Sequence, residues 1–338
     1  MSGHNRGMHA PVPSPPPVPV ALTACTGYTP ASAVEEAVYR CLAACGLLPG
    51  HATVAQKTEV LTRGDRVLVK PNLLRASALS CTHPLVIRAA CQCLLDHGLR
   101  VVVADSPGFG TARGVAEAIG LEQALRPLGL QVRALDDAQA IPLRQGGHWG
   151  IARAALESDH ILSVPRFKAH CQMRVTLAVK NLFGCICGLR KAVAHTVQGQ
   201  SMDMFTSGIL DLWAALPPVA ALVDGVEAMH VTGPSGGKSF ALGCVGASPS
   251  ALALDTACYT LLEASPSTVP LWAAAQQRQL PGAFAHELRY VLSGPEDFDA
   301  TGFILPELID ISFRPHRLFV SLCRRLWSNR HRGTGSPR

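Results

Sequence analysis

The chain has 338 residues, of which 48 % are hydrophobic, 16 % are charged and 5 % are aromatic, and its formal net charge is +6. That length and apolar content suit a substantial buried core in one large domain or two modest ones. Much of the positive excess lies near the C-terminus. With so few aromatic residues, this excludes a dedicated nucleic-acid-binding protein, which needs a dense basic face or stacking rings.

The first residues, MSGHNRGMHAPVPSPPPVPV, are rich in proline and lack the apolar core of a signal peptide. Residues 1–17 are therefore predicted to be a disordered lead-in. No apolar run reaches the roughly 18 residues that suggest a transmembrane segment. The protein is predicted to be cytoplasmic.

From residue 18 onward, short β-branched runs alternate with helical patterns. The predicted strands cover residues 18–24, 65–70, 100–105, 160–165, 219–224 and 241–247. The predicted helices cover residues 33–46, 84–97, 111–120, 203–215, 251–263 and 269–278. This alternation is typical of βαβ units. The predicted fold class is α/β, with a mostly parallel twisted sheet flanked by helices in a domain that covers residues 18–280.

Two segments follow that domain. Residues 281–313 are predicted to form a short irregular cap. Residues 314–338 form a basic tail that is amphipathic for about three turns at helical spacing. The favoured interpretation is a helix that packs its apolar side on the body of the protein. A peripheral contact with an anionic membrane surface or a protein partner is the alternative.

Polar side chains follow four of the predicted strands. These segments are Lys70-Pro71-Asn72, Asp105-Ser106-Pro107-Gly108, Arg166-Phe167-Lys168-Ala169-His170 and Asp224-Gly225. In open α/β sheets, ligands bind outside the carboxyl ends of the strands, because the connecting loops meet there. We therefore expect these polar residues to meet at one edge of the sheet. The stretch SPGFGTARG (106–114), which includes Arg113, follows a strand and opens a helix, so its backbone N–H groups could hold an anion.

The apolar stretch VTLAVKNLFGCICGLRKAVAH (175–195) contains Lys180, Asn181, Lys191 and His195. A lysine in such a segment loses solvation, and its charge is costly without a nearby anion. The neutralising group is either an internal carboxylate or a bound anion. The internal candidates are Asp105, Asp224 and Asp255, which the four lysines 70, 168, 180 and 191 outnumber. The count favours an anionic ligand.

Histidines and cysteines supply the remaining candidates. His170 and His195 lie among lysines, which should lower the imidazole pKa and suit a neutral base or metal ligand. Most of the twelve cysteines are interpreted as buried small hydrophobic residues, and none forms a C-x-x-C motif. Cys185 and Cys187 remain the candidates for a metal site.

Several motifs together resemble a known family. VLVKPNLL, VVVADSPGFGTARG, ILSVPRFKAHCQMRVTLAVKNLFGCICGLRKAVAH, LVDGVEAMHVTGPSGG and ALALDTACY follow one another as in the prokaryotic family that carries domain of unknown function 362. The resemblance spans roughly residues 20–262 and implies an α/β domain without implying a reaction. The motif residues are Lys70, Asn72, Asp105, Lys168, His170, Lys180, Asn181, Lys191, His195, Asp224 and Asp255. Some relatives carry a ferredoxin-like module that this chain lacks, so an iron–sulfur cluster is not expected.

These observations predict an enzyme that acts on a small molecule bearing a phosphate or carboxylate group. The predicted catalytic residues are His170, His195, Lys168 and Lys180. The predicted ligand-binding residues are Lys70, Asn72, Asp105, Ser106, Gly108, Arg113, Asn181, Lys191, Asp224 and Asp255. Asp105 and Asp224 would orient a lysine, or bind a divalent metal ion if phosphate is present.

Two alternatives stay open. The first is a redox or metal-handling accessory protein that uses Cys185, Cys187, His170 and His195. The second is a non-catalytic scaffold that docks through its basic tail.

Overall fold

The computed structural model describes residues 16–51, 60–188, 190–191, 194 and 201–309. Most of the predicted lead-in, His195 and the whole basic tail lie outside the described residues. The predicted domain boundaries therefore stay predictions. Within the described ranges, no helix is long and apolar enough to cross a membrane.

The described strands follow the chain in this order: β1 Val18–Ala24, β2 Arg66–Pro71, β3 Arg100–Asp105, β4 Val132–Ala134, β5 Ala138–Pro142, β6 His148–Ala152, β7 His160–Val164, β8 Arg166–His170, β9 Arg174–Thr176, β10 Val219–His230, β11 Lys238–Phe240, β12 Cys244–Ser248 and β13 Leu288–Tyr290. The described α-helices are α1 Ala31–Ala44, α2 Pro84–Asp96, α3 Ala112–Ala118, α4 Leu121–Leu125, α5 Arg153–Leu156, α6 Ala178–Asn181, α7 Met202–Ala215, α8 Ala251–Leu261 and α9 Pro270–Gln277. Each of the six predicted strands and six predicted helices is present. The ends differ by at most three residues, except that β10 runs six residues beyond the predicted strand.

The main sheet has the strand order β13-β1-β12-β10-β7-β2-β3-β4. Strands β10, β7, β2, β3 and β4 pair in parallel, whereas β12 is antiparallel to both of its neighbours. The parallel strands are continuous apolar runs, as expected where helices cover both faces of a sheet. The predicted α/β fold with a mostly parallel sheet is confirmed.

The two faces of the sheet bury separate apolar clusters. Along β2, Val67 and Val69 pack on the face that α1 and α2 cover, whereas Leu68 packs on the opposite face. Because side chains alternate along a strand, Lys70 lies on the same face as Leu68. The helix α6 packs against α7 and α8 on that face. The polar end of β2 is thus enclosed by helices.

The segment predicted to follow the fourth strand is itself a strand. Residues 166–170 form β8, which pairs in parallel with β10 and antiparallel with β9. This is possible because β10 continues for six residues beyond Asp224, further than the predicted strand. Arg166, Lys168 and His170 alternate with apolar residues, which is the period-two pattern of a strand. All five residues of β8 are buried.

Candidate functional site

Lys70 and Asp105 form a buried ion pair at the carboxyl ends of β2 and β3. The Lys70 Nζ atom lies 2.8 Å from Asp105 Oδ1, and both side chains are at least 96 % buried. Lys70 also donates to Asn181 Oδ1 at 3.2 Å and to the carbonyl oxygen of Pro71 at 3.0 Å. Asp105 Oδ2 accepts from the backbone N–H of Leu73 at 2.8 Å. The pairing of two parallel neighbours thus brings these side chains together, as the sequence predicts.

Lys168 reaches the same edge of the sheet from β8. Its Nζ atom donates to Asn72 Oδ1 and to the carbonyl oxygen of Ser80, both at 2.6 Å. Asn72 Nδ2 in turn donates to Asn181 Oδ1 at 3.0 Å, so amide groups link Lys168 to Lys70. Burial lowers the pKa of Lys168 to about 7. Both partners of this ammonium are neutral oxygens.

Lys180 lies at the end of α6, where an aromatic pocket surrounds it. Its Nζ atom is 4.3 Å from the ring centroid of Phe183 and 5.5 Å from that of Phe205. Within the described residues, its ammonium forms neither a hydrogen bond nor an ion pair. Burial, and then the positive charges of Lys191, Lys168 and Lys70, lower the pKa of Lys180 to about 7.

Lys191 approaches the loop that follows β3. Its Nζ atom donates to the carbonyl oxygen of Ser106, and Gly188 N donates to Ser106 Oγ at 3.3 Å. Burial lowers the pKa of Lys191 to about 8, whereas the negative charge of Asp105 acts to raise it. Lys70, Lys168, Lys180 and Lys191 are called the lysine cluster below.

The lysine cluster carries excess positive charge. Among the described residues, Asp105 is the one carboxylate in contact with any of the four ammonium groups. The chain has only six lysines against 24 arginines, and four of those lysines are in this cluster. Arginine stays charged in proteins, whereas lysine loses its proton readily when buried. The cluster can therefore bind an anion, and it can also supply a neutral amine near pH 7.

Two buried hydroxyl groups next to Lys168 lack hydrogen-bond partners among the described residues: Ser80 Oγ and Thr176 Oγ1. The carbonyl of Ser80 accepts from Lys168, and Thr176 lies directly opposite Lys168 in the β8–β9 pair. Buried polar groups in native proteins are nearly always satisfied. Sequence reasoning missed Ser80, since only the tertiary contact between its 3-10 turn, Ala78–Ser80, and β8 places it here.

Asp224 belongs to a different group of residues. Arg166 lies 2.9 Å from Asp224 Oδ2 and 3.0 Å from Glu227 Oε2. The hydroxyl of Tyr28 donates to Asp224 Oδ1 at 2.7 Å, and the backbone N–H of His83 donates to Oδ2 at 2.8 Å. The predicted role of Asp224 in orienting a lysine is therefore absent from the described structure, because these donors already occupy the Asp224 carboxylate.

Asp255 also lies apart from the lysine cluster. Its oxygens accept from the backbone N–H groups of Ala178 and Val179, at 2.7 and 3.0 Å, and so cap the start of α6. Burial raises the pKa of Asp255 to about 8, although these two bonds oppose that rise. The carboxylate orients the helix that presents Lys180 and does not neutralise the lysine.

Two predicted ligand residues near α3 face elsewhere. Arg113 pairs with Glu117 across one turn of α3 at 2.9 Å, and its side chain is 71 % exposed. Gly108 lies against Leu74. The loop between β3 and α3 instead contributes Ser106, whose backbone N–H donates to Asp105 Oδ1 at 2.8 Å.

His170 is buried at the end of β8, and its Nδ1 atom accepts from the backbone N–H of Gln172 at 3.1 Å. That bond requires an unprotonated Nδ1, as the predicted neutral imidazole would have. His195, the second predicted histidine, lies outside the described residues.

Cys185 and Cys187 are buried, and burial raises the pKa of both thiols, to about 12 for Cys185. In the part of the chain that the structure describes, no three His, Cys, Asp or Glu side chains are arranged to hold a metal ion.

A cleft of about 180 Å³ lies elsewhere on the protein, lined by Arg66, Asp136, Asp137, Arg153 and Glu157 among others. Its lining includes none of the predicted site residues. Charges of both signs line this cleft.

The chain is similar to a curated protein and to solved structures. The chain is 34 % identical over 250 residues to a thylakoid-associated protein of Synechocystis sp., a match that covers 73 % of this chain and 78 % of that protein. The lactate racemase apoprotein from Thermoanaerobacterium thermosaccharolyticum superimposes with a TM-score of 0.46 at 14 % identity, covering 72 % of this chain and 57 % of that chain. A structural-genomics protein from Thermotoga maritima superimposes with a TM-score of 0.32 at 9 % sequence identity. That match covers 59 % of this chain and 50 % of that chain. This chain therefore spans about half the length of these two solved structures.

A family model described as Domain of unknown function (DUF362) matches residues 67–260. The matched range contains the whole lysine cluster, together with Asp105. It covers more than half of the chain, and it agrees with the motif resemblance described above. The chain belongs to the DUF362 family.

Proposed function

We propose that the protein binds a small molecule with a phosphate or carboxylate group at the lysine cluster and acts on it as an enzyme. The observation that carries this proposal is the excess charge: among the described residues, the four buried or half-buried ammonium groups of the lysine cluster have one carboxylate partner, Asp105, which pairs with Lys70. Buried charges in proteins are normally paired, because an isolated one loses its solvation. A bound anion would supply the missing negative charge.

The hydrogen bonds suggest a role for each group. Lys168 and the unpartnered hydroxyls of Ser80 and Thr176 would hold the anionic group of the ligand. Lys70 is already paired with Asp105 and would contribute a fixed positive charge. His170 stays the predicted proton carrier, and the type of reaction stays open.

Thermal unfolding with inorganic phosphate and a panel of small mono- and dicarboxylates tests the proposal. A ligand at one hundred times its Kd stabilises the native state by about 2.7 kcal/mol, so the wild-type melting temperature should rise by several degrees. Lys168→Met should abolish the rise. Lys238→Met removes an exposed lysine outside the cluster and should retain it. If no anion of the panel shifts the wild type, the proposal is wrong.

Anion binding should also take up protons. A bound anion raises the pKa values of Lys168 and Lys180, both near 7, and so protonates amines that are partly neutral. Calorimetric titrations at pH 7.5 in two buffers of different ionisation enthalpy should therefore give different binding enthalpies. Equal enthalpies in the two buffers would mean that these amines are not at the binding site.

A peripheral role at a membrane surface is the second candidate. The Synechocystis relative is named as thylakoid-associated. In this chain, Ile304, Leu308 and Ile309 are between 38 % and 55 % exposed. They lie five to ten residues before the start of the tail 314–338, which has seven arginines and no acidic residue. Exposed apolar groups beside a basic amphipathic segment suit an anionic lipid surface.

Flotation with phosphatidylglycerol vesicles and with phosphatidylcholine vesicles tests this second candidate. The full-length chain should float with the anionic vesicles only, and less so as salt is added. Arg324→Glu with Arg325→Glu should abolish flotation, whereas Arg113→Glu, a reversal of the same kind outside the tail, should not. Flotation that is equal for both lipids, or absent, would contradict the candidate.

A further inference from the structure

Lys180 differs from the other lysines of the cluster in the groups around its amine. Lys70 is held by a carboxylate, Lys168 by two oxygens at 2.6 Å, and Lys191 by a backbone carbonyl. The Lys180 Nζ atom instead faces the rings of Phe183 and Phe205, with no oxygen partner among the described residues. Its residue is 92 % buried. A lysine kept inside the protein without an acceptor is an arrangement that stability alone does not favour.

We propose that Lys180 is a nucleophilic amine that forms an imine with the carbonyl carbon of an anionic carbonyl compound, such as a 2-oxo acid. This inference rests on the proposed function, because the other members of the lysine cluster would hold the carboxylate of that compound. It assigns the Lys180 amine as the reacting group at the lysine cluster, and it narrows the substrate from any anionic small molecule to one that also has a carbonyl group.

The reaction balances without any further reactant. The lone pair of the neutral amine attacks the carbonyl carbon, and a C–N bond forms. The carbonyl oxygen takes up a proton and the attacking nitrogen loses one, which gives a neutral carbinolamine. That hydroxyl then leaves as water with one more proton, while nitrogen donates its lone pair to form the C=N bond. The product is a protonated imine with one released water molecule. The ammonium groups of Lys191 and Lys168, whose charges act on the Lys180 amine, could supply these protons.

The surroundings of Lys180 suit such a nucleophile. Lysines that form imines are activated by desolvation and by neighbouring cations, both of which favour the neutral amine. The pKa of about 7 leaves roughly half of the Lys180 amine neutral at pH 7, whereas an unperturbed lysine is neutral in about one molecule in several thousand. The ring faces can also stabilise the cationic imine that forms. The chain uses arginine for most other positive charges, and arginine cannot take this role.

Reductive trapping tests the inference. The wild-type protein is incubated with pyruvate and sodium cyanoborohydride, and peptides are mapped by mass spectrometry. The expected adduct is one pyruvate less one water plus two hydrogens, located on Lys180. Labelling should increase as the pH rises through about 7 and should be slower in the presence of inorganic phosphate. Lys180→Arg keeps the positive charge and should abolish the adduct, whereas Lys238→Arg should not change it.

The outcomes separate this inference from the proposed function. A phosphate-dependent rise in melting temperature without an adduct on Lys180 overturns the imine and leaves anion binding in place. An adduct that forms equally fast with neutral propanal, with no anion stabilising the protein, supports the amine and overturns anion binding. An adduct confined to the exposed Lys238 overturns the imine. Because the mapping is done on wild-type protein, the result does not depend on the folding of a variant.

Discussion

At the scale of single residues, Lys180 illustrates how a functional group can oppose stability. Its residue is 92 % buried, and its ammonium has gained no oxygen partner among the described residues. Burying an ion costs several kcal/mol in lost solvation, so replacing an unpaired buried charge by an apolar group of similar size removes that cost. A residue that lowers stability in the absence of ligand is expected where the ligand itself supplies the missing interaction.

Lys180→Met should therefore stabilise the ligand-free protein below pH 7, by about 1–4 kcal/mol. The Lys180 pKa is about 7 in the folded state and 10.5 without perturbation. Below pH 7 both states are protonated, and the full cost of burying the charge is present. Between pH 7 and 10.5 the unfolded state binds more protons, so the stability of the wild type rises with pH by up to about 1.4 kcal/mol per unit.

Urea unfolding between pH 6 and 10 measures this effect. The slope of stability against pH should be smaller in Lys180→Met than in the wild type, and Lys168 should account for part of what remains. Lys238→Met serves as the control, because an exposed lysine contributes no more than about 0.5 kcal/mol. An unchanged slope in Lys180→Met would show that its ammonium is not desolvated.

At the level of a single element, the 3-10 turn Leu182–Cys185 packs over the buried ion pair of Lys70 and Asp105. Gly184 faces Lys70 and Asp105 at close range. A Cβ atom at this position would lie 2.6 Å from Lys70 Cε and closer still to Lys70 Nζ and Asp105 Oδ1. The Lys70 ammonium cannot easily move away, because three hydrogen bonds hold it.

Gly184→Ala is expected to destabilise the protein by about 1–3 kcal/mol, the usual cost of overpacking a buried site. It should also weaken the anion-dependent rise in melting temperature, since it displaces Lys70 from its partners. Gly27→Ala is the matched control, because a Cβ there would meet nothing nearer than 4.0 Å. Chemical denaturation measures both variants. A Gly184→Ala protein as stable as the wild type would mean that the ion pair shifts freely.

At the scale of the whole molecule, Asp224 joins parts of the chain that are distant in sequence. It accepts from Tyr28 after β1, from the backbone of His83 before α2, and from Arg166 on β8. Arg166 is 99 % buried, so its charge depends on this carboxylate and on the half-exposed Glu227. Removing one partner of a buried pair leaves the other charge without compensation.

Asp224→Leu should accordingly lower the free energy of unfolding by roughly 3–5 kcal/mol. The double variant Arg166→Met, Asp224→Leu should lose less, because no buried charge remains. Arg113→Ala, which breaks an exposed pair, should cost no more than about 1 kcal/mol. Urea denaturation of the three variants provides the test. A double variant less stable than Asp224→Leu would show that Arg166 contributes in some other way.

The local signals in the chain were sufficient for the six predicted strands and the six predicted helices. Alternating β-branched runs and helical patterns predict each main strand and helix, because burial on a sheet or helix imposes a period that is visible in one dimension. The rule that ligand groups follow parallel strands predicts the meeting of Lys70, Asp105 and Lys168. This rule does not require the strand order to be known, because all parallel strands of a sheet have their carboxyl ends at the same edge.

Contacts across the fold decided the partners of each charge, which no local pattern specifies. Asp224, Asp255 and Arg113 were predicted to share one site. In the structure, Asp224 pairs with Arg166, Asp255 caps α6, and Arg113 faces solvent. Ser80 joins Lys168 only through packing between distant segments. Periodicity reports which side of an element is buried, whereas pairing depends on three-dimensional distances of a few ångströms. The partners of each lysine therefore emerge only once the chain is folded, although the excess of lysines over carboxylates is visible in the sequence.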